Sequence, residues 1–441
     1  MKRILILGGG FAAIATATHL ERALRRDEAT LTLVSRENFT LFTPMLPEVA
    51  SGGLETRHVV TPIRAQLRRT QFLLADVRAI DLAAGNVEVE HALTGTRRSL
   101  AYDQLVFALG SVSSTFGIPG IEERALSLKS LEDADRLRNR AIAMLELADV
   151  AVDSAERKRL LTFAFVGGGY TGVEAAGELL DFFRSVVRLY PSIAPADIEV
   201  YLVEGAHRLL PDLPEAMGQY SGRALERGGV RVVLGEFVAG LDDAGLHLKS
   251  GGTIAAATVV WSAGVRPSPL VTSLGLTLER GAIRTASDFS VPGHPGLWAI
   301  GDCASIPSPS GKPYPGTAQH AIREGPVLAR NIVAVLRGRP TAPFRYASLG
   351  TMASLGARRG VADLGGRFIL TGFPAWFLWR TYYLLRLPGL DRRIRVAFDW
   401  TLGLLFPRDI AELRVFARTI PRPAEAANAV DPESTSDRRS P

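Results

Sequence analysis

The sequence predicts an α/β protein with two Rossmann-like dinucleotide-binding domains and a C-terminal amphipathic helical module. Three observations predict it. A strand, a glycine turn and a helix open the chain. The same grouping returns near residue 165, and from residue 357 the composition turns to arginine and aromatic side chains. A length of 441 residues suits two to three domains.

Arg3 to Leu7 is a short apolar run bounded by glycine, which reads as a buried strand. Gly8-Gly9-Gly10-Phe11-Ala12-Ala13 follows, then the alanine-rich helix 14–25. In this G-x-G-x-x-A pattern Gly8 permits the sharp turn, Gly10 lets a pyrophosphate approach the backbone, and Ala13 lets the helix pack on the strand. Free N–H groups and the positive dipole end then face the phosphates. The next strand, 31–34, runs into Ser35-Arg36-Glu37, where an acid that grips the adenosine ribose is expected. Ser35 offers one hydrogen bond in its place, and Glu37 is the alternative acid.

The second unit is Phe163 to Gly172, with Gly167, Gly169 and Gly172 forming a full G-x-G-x-x-G around Thr171. It opens a helix over 173–183, and a later strand, 199–203, ends in Glu204. A carboxylate there accepts both ribose hydroxyls. It would repel a 2′-phosphate by roughly 3 kcal/mol per unit charge at ~5 Å. That is about a hundredfold preference for NADH over NADPH, and Arg208 is near enough in sequence to blunt it. Two such sites in one chain point to hydride traffic between a tight flavin and an exchangeable nicotinamide.

From Ala357 to Ile420 there are eleven arginines against five acids, interleaved with Trp, Tyr, Phe and Leu. A helix is predicted around 376–386, with Trp376, Trp379 and Tyr383 between Arg380 and Arg386 and with Phe377, Leu378, Tyr382, Leu384 and Leu385 opposite. Pro388-Gly389 ends it. A second helix is predicted over 391–406, with Arg392, Arg395, Asp399 and Gly403 on one face. Such helices suit a membrane surface rich in anionic lipid, with Trp and Tyr at the headgroups. Packing on the protein or on a second subunit is the rival reading. The segment is too apolar for a nucleic-acid arm, so no nucleic-acid partner is expected. Residues 421–441 read as a disordered tail.

Composition excludes other classes. Hydrophobic residues at 47% and charged residues at 22% fit a sizeable core. A single cysteine excludes a disulfide scaffold, a CxxC zinc site and an internal redox dithiol. No metal site is expected. No apolar run is long enough to span a bilayer. The basic, apolar N-terminus imitates a signal peptide, but Gly8-Gly9-Gly10 would break its apolar helix.

Two further stretches, Tyr102 to Gly110 and Leu297 to Ala304, resemble the internal flavin motifs of the two-dinucleotide-domain flavoprotein reductases of the pyridine nucleotide-disulfide oxidoreductase type. More narrowly, the chain resembles the type II NADH:quinone oxidoreductases. Stretches 38–46, 116–120, 128–134, 172–178, 261–265 and 318–321 carry that likeness. The resemblance implies a peripheral, respiratory-chain NADH dehydrogenase on the cytoplasmic side of the cell membrane. It would pass hydride from NADH to FAD and two electrons to a quinone, without proton pumping. It also implies an FAD domain in two parts, 1–115 and 285–345, with an NAD domain, 116–284, inserted between them. A membrane-interface module, 346–420, would follow.

The resemblance places residues as follows. Gly8, Gly10, Ala13, Ser35 and Arg36 would hold the adenosine diphosphate half of FAD. Thr43 and Pro44 would lie against its ring, Ala108 and Gly110 would close over it, and Gly301 and Asp302 would meet the ribityl chain. Gly167, Gly169, Thr171, Gly172, Glu204, Ala263 and Gly264 would hold NADH. Glu174 and Gln319 are the catalytic candidates, one near the nicotinamide and one by the quinone. The family often carries two glutamines shortly after Gln319; here they are Arg323 and Glu324. Each candidate has a plainer reading: Glu174 as an acid at a helix start, Asp302 as a cap, Gln319 as a surface residue, Lys129 as a solvated charge and Cys303 as a small buried hydrophobe. Disulfide and sulfide chemistries need a second thiol, which the chain lacks. The same turns would also serve a soluble FAD-dependent NAD(P)H reductase with helices 376–406 as a homodimer interface, or a non-catalytic nucleotide sensor.

Overall fold

The computed structural model describes residues 1–348, 350–356 and 358–412. The expected tail at 421–441 lies outside them. Among the described residues, seven strands form the first sheet, in the spatial order 297–299, 104–107, 2–7, 29–35, 71–81, 86–91 and 97–101. Its first five strands run parallel, with Lys2 opposite Ala29 and Leu5 opposite Leu105. The inner strands are apolar on both faces: Ile4, Ile6 and Leu33 pack under helices, while Leu5, Leu7 and Phe107 pack against the hairpin 71–91 and the segment 271–303. Helix Phe11–Ala23 lies on one face beside helix Ala318–Leu336. Gly325 permits their close crossing, since a Cβ there would stand 2.6 Å from Ala15 Cβ.

The second sheet is wholly parallel, in the order 126–127, 258–261, 162–166, 199–204 and 230–234. Every residue of Thr162–Val166 is buried. Helix Tyr170–Val186 covers it, and Phe163, Phe182 and Phe183 pack between helix and sheet. The chain leaves the first sheet through Ser111–Ser113 and returns through Val265–Pro267, and these two segments pair antiparallel. The Trp261 indole donates to Ser114 O at 2.7 Å, pinning the crossing.

Both nucleotide helices start earlier than predicted, at Phe11 and Tyr170, because the second glycine of each G-x-G, Gly10 and Gly169, is itself the N-cap. Past residue 350 comes a three-stranded antiparallel sheet, Thr351–Ser354, Gly360–Leu364 and Phe368–Gly372. Helices Phe373–Arg386 and Leu390–Leu405 follow, separated at Pro388 and at Gly389, whose φ of +87° favours glycine.

Their orientation reverses the sequence expectation. Trp376 and Trp379 face inward and are buried, and Arg380 is turned in with them. Val396 is buried, and Asp399 bonds His58 Nδ1 at 2.5 Å. The outer surface carries Phe373, Phe377, Leu385, Leu390, Ile394, Phe398 and Leu405, all more than half exposed. Tryptophan and arginine pack on the protein because buried glutamates offer them hydrogen bonds; phenylalanine and leucine have no such claim. Arg386 and Arg395 remain exposed at the edges.

Candidate functional site

The first glycine turn is an open cradle. Gly8 has φ +121°, and a Cβ on it would lie 2.1 Å from the carbonyl oxygen of Ala108. Gly10 caps the helix with no side-chain hydrogen bond, and nothing lies within 4 Å of where its Cβ would be. The first helical N–H groups therefore face free space, as a pyrophosphate requires. Ala13 is fully buried against the strand. Ser35 is buried, and its Oγ accepts the Glu37 N–H at 3.3 Å; Arg36 is exposed. Thr43 and Pro44 begin a 3-10 turn beside buried Met45, and Gly110 adopts φ +66° with open space around it.

Gly301 closes the cradle from the other side, its missing Cβ lying 3.4 Å from that of Ala12. Next to it the Asp302 carboxylate accepts from Ser111 Oγ at 2.6 Å, and Ser111 Oγ accepts from Lys129 Nζ at 2.6 Å. Lys129 is thus half-buried and bonded, not a solvated charge. Burial lowers its pKa, and the Asp302 charge opposes that shift. The signal that could have found it is the scarcity of lysine: the chain has five. Glu324, which takes the place of a family glutamine, is buried and accepts the Gly301 N–H at 2.7 Å; burial raises its carboxyl to about 7. Open glycines, uncapped N–H groups and a bonded carboxylate–serine–lysine row fit a dinucleotide cofactor such as FAD. Cys303 is buried with its thiol pushed up to about 12, so it is no nucleophile.

The second turn repeats the geometry. Gly167 has φ +112° and stands against Ala263, its Cβ position 2.7 Å from the Ala263 nitrogen. Gly172 fits 1.9 Å from the Gly167 oxygen by the same measure, and Gly169 is uncapped and open, with Thr171 half-exposed beside it. Gly264 accommodates the ring of Phe116. Glu204 is already held: Oε2 accepts the Gly168 N–H at 2.5 Å and Oε1 the Ala206 N–H at 2.7 Å. Arg208 donates to Pro211 O at 2.7 Å, within its own loop.

Behind this turn lies a group the sequence did not assemble. Glu174 is no helix cap. It sits one turn in, buried, and its Oε1 accepts the Ser354 N–H at 3.0 Å and the Trp379 indole at 2.9 Å. Glu48 accepts from Arg380 at 2.9 Å and from the Trp400 indole at 3.0 Å. Glu178 accepts from Arg408 at 2.9 Å. The Arg380 guanidinium lies over both Trp376 and Trp400, 4.3 and 4.5 Å from the ring centroids. Two guanidinium groups thus serve three carboxyls. Among the described residues Glu174 has no cation of its own, and burial pushes it up to about 8, aided by Glu178 and Glu48. Burial also raises Glu48, against the opposing charge of Arg380. Burial thus favours the protonated form of Glu174, and both N–H groups fall on Oε1, leaving Oε2 as the oxygen free to carry a proton.

Gln319 lies in the first turn of its helix, half-buried. Its Nε2 donates to Gly350 O at 3.1 Å, and its Oε1 accepts from Tyr346 Oη and, at 3.3 Å, from Ser348 Oγ. It is a bonded residue at the joint between the first nucleotide domain and the C-terminal module, not a free surface side chain. Arg323 stacks over Tyr346, 4.4 Å from the ring centroid. Among the described residues no cluster of metal ligands occurs, and no helix is long and apolar enough to cross a membrane.

Comparison with known proteins gives two family matches. Residues 2–325 match the family described as pyridine nucleotide-disulphide oxidoreductase, and residues 348–409 match the NDH2 C-terminal domain. A type II NADH:quinone oxidoreductase of Mycobacterium tuberculosis is 34% identical, covering 95% of this chain and 92% of its own. One from Staphylococcus haemolyticus is 32% identical over 86% and 93%. An internal alternative NAD(P)H-ubiquinone oxidoreductase of Arabidopsis thaliana mitochondria is 34% identical over 93% and 86%. The solved structure of NDH2 from Plasmodium falciparum in complex with NADH shares the fold, with a TM-score of 0.86 at 21% identity over 93% of this chain and 99% of that one.

Proposed function

The chain belongs to the pyridine nucleotide-disulphide oxidoreductases and, among them, to the type II NADH:quinone oxidoreductases; from that membership we infer how its own residues carry out NADH oxidation and quinone reduction. FAD, when bound, supplies a ring that takes hydride from NADH and passes two electrons to a quinone. The observation that carries the reading is the pair of open, uncapped turns at Gly10 and Gly169 in one chain.

Each residue then has a task set by its chemistry. The N–H groups after Gly10 and Gly169 bind the two pyrophosphates. Asp302 accepts a hydroxyl of the FAD chain, and Lys129, held by Ser111, keeps a cation beside it. Glu204 grips the adenosine ribose of NADH. With Arg208 tied to Pro211, the bias against a 2′-phosphate stands. Ala263 and Gly264, being small, leave room for the nucleotide. Cys303 has no partner thiol, so no disulfide relay intervenes. The net reaction consumes one proton besides the hydride, and Glu174 Oε2 is free to carry one, between the second turn and the C-terminal module. Gln319, bonded to Tyr346, Ser348 and Gly350, forms a wall on the quinone side.

The apolar outer face of helices 373–386 and 390–405 seats the protein in the lipid–water boundary, with Arg386 and Arg395 at the phosphates, on the cytoplasmic side where NADH is abundant. From there a lipid-dissolved quinone has a short path. The test is anaerobic spectroscopy of the purified holoprotein. NADH should bleach the flavin absorbance, and a short-chain quinone should restore it. A protein that carries no flavin, or one that NADH does not bleach, overturns the reading. Flotation with anionic vesicles tests the membrane seat; protein that stays at the bottom as a stable dimer would assign the apolar face to a second copy.

A further inference from the structure

An exposed phenylalanine stands one step beyond the acid that grips the ribose. Phe237 is 58% exposed, although it leads into the strand Val238–Asp242, in which three of five residues are buried. Its ring covers Gly205, the residue after Glu204: a Cβ on Gly205 would lie 2.6 Å from the ring. The backbone holds this arrangement firmly. Glu236 N donates to Glu204 O at 3.1 Å, Gly235 N to Ala206 O at 2.9 Å, and Lys249 N to Phe237 O at 2.8 Å. The Lys249 ammonium stands 5.6 Å from the ring centroid.

A half-exposed aromatic ring set against a bare glycine beside the ribose acid offers a flat partner a face to stack on. The nucleotide bound here brings one. Its ribose meets Glu204, and its base is one glycosidic bond from that ribose. We propose that Phe237 is the shelf on which the adenine of the nicotinamide nucleotide stacks, with Gly205 left bare so that the ring can lie beside the ribose carboxylate, the base taking the place over the ring that the exposed Lys249 ammonium holds at 5.6 Å. This rests on the reading of the Gly167–Glu204 unit as the NADH site. It adds the residue that holds the half of the substrate remote from the chemistry, where binding energy positions the reacting end.

The test compares NADH with reduced nicotinamide mononucleotide, which lacks the adenosine half, on the flavin-loaded holoprotein and its F237A and F237W variants. F237A should raise the NADH concentration giving half-maximal flavin bleaching by about tenfold, within the span expected for loss of one base–aromatic stack. It should weaken competition by ADP-ribose by the same factor, with the mononucleotide's half-saturation carrying none of the effect. F237W should restore NADH. The proposal is overturned if F237A leaves NADH within twofold of the parent, or if the mononucleotide shifts together with NADH, which would make Phe237 a structural residue of the loop. A parent protein bleached by neither nucleotide would instead refute the NADH site itself, so the two failures are distinct.

Discussion

The Trp379 indole N–H donates to Glu174 Oε1 at 2.9 Å, joining the C-terminal module to the helix that begins at the second glycine turn. Neither side chain reaches water to any extent, with Trp379 1% and Glu174 6% exposed. The bond therefore exists only while module and nucleotide domain are together.

The first prediction concerns pH. Glu174 titrates at about 8 in the folded protein, above its ordinary 4.5, because burial disfavours the carboxylate. Folding favours its protonated form. Its contribution to stability is whole below about pH 4.5 and is lost as pH rises through 8. The melting temperature of the holoprotein should fall as pH rises from about 5 to 8 and level off above that. Glu174→Gln keeps an oxygen acceptor for Trp379 and Ser354 and cannot ionise, so its melting curve should be flatter over that window. An equally steep fall in the variant would show that the titration belongs elsewhere.

The second concerns the buried ion pair. Removing Arg380 strands Glu48, which is 2% exposed. Arg380→Met should cost about 3–5 kcal/mol in chemical unfolding. Adding Glu48→Gln should return most of that, because the stranded charge goes with it. Additive losses in the double variant would refute the pairing.

Lys129 is tested through the flavin itself. Lys129→Met removes the cation bonded to Ser111 and leaves Asp302 with a serine alone. FAD should dissociate more readily, by about tenfold for roughly 1.4 kcal/mol of lost interaction, as read by recovery of free-flavin fluorescence on dilution. Retention equal to the parent's would make Lys129 a spectator.

Selectivity between nicotinamides follows from Glu204. Glu204→Ala removes the charge that repels a 2′-phosphate, so the NADH:NADPH ratio of kcat/KM should fall by about tenfold or more. With Arg208 committed to Pro211 O, Arg208→Ala should leave that ratio nearly where it was.

The outward apolar face can be read by flotation. Phe377→Asp with Phe398→Asp places two charges among side chains that are 59% and 61% exposed. Vesicle binding should drop severalfold, while reduction of a water-soluble acceptor such as ferricyanide by NADH continues. Undiminished flotation would assign the lipid seat to another surface.

Much of this was legible in the residues. Both glycine turns, their strands and Glu204 are contiguous patterns whose spacing is fixed by backbone geometry. The two C-terminal helices were legible too, since Pro388-Gly389 marks their break. Their facing was not, because a helical wheel sorts residues onto sides without saying which side the fold covers. Arg380 and Trp400 look outward-bound until Glu48, more than 300 residues earlier in sequence, supplies the acceptor. Glu174 stood out only through the family likeness, and Glu178 and Glu48 did not stand out singly; only tertiary packing makes them one group. Lys129 and Glu324 were passed over for the same reason: their partners, Ser111 and Gly301, are local only in space.

The inward-turned charges bear on how this protein can be engineered. A cut after Leu336 would not trim a detachable handle. It would withdraw Arg380, Arg408 and two indoles from three acids and open that seam to solvent. A water-soluble diaphorase is therefore better sought by recolouring the greasy exterior of the last two helices than by shortening the polypeptide.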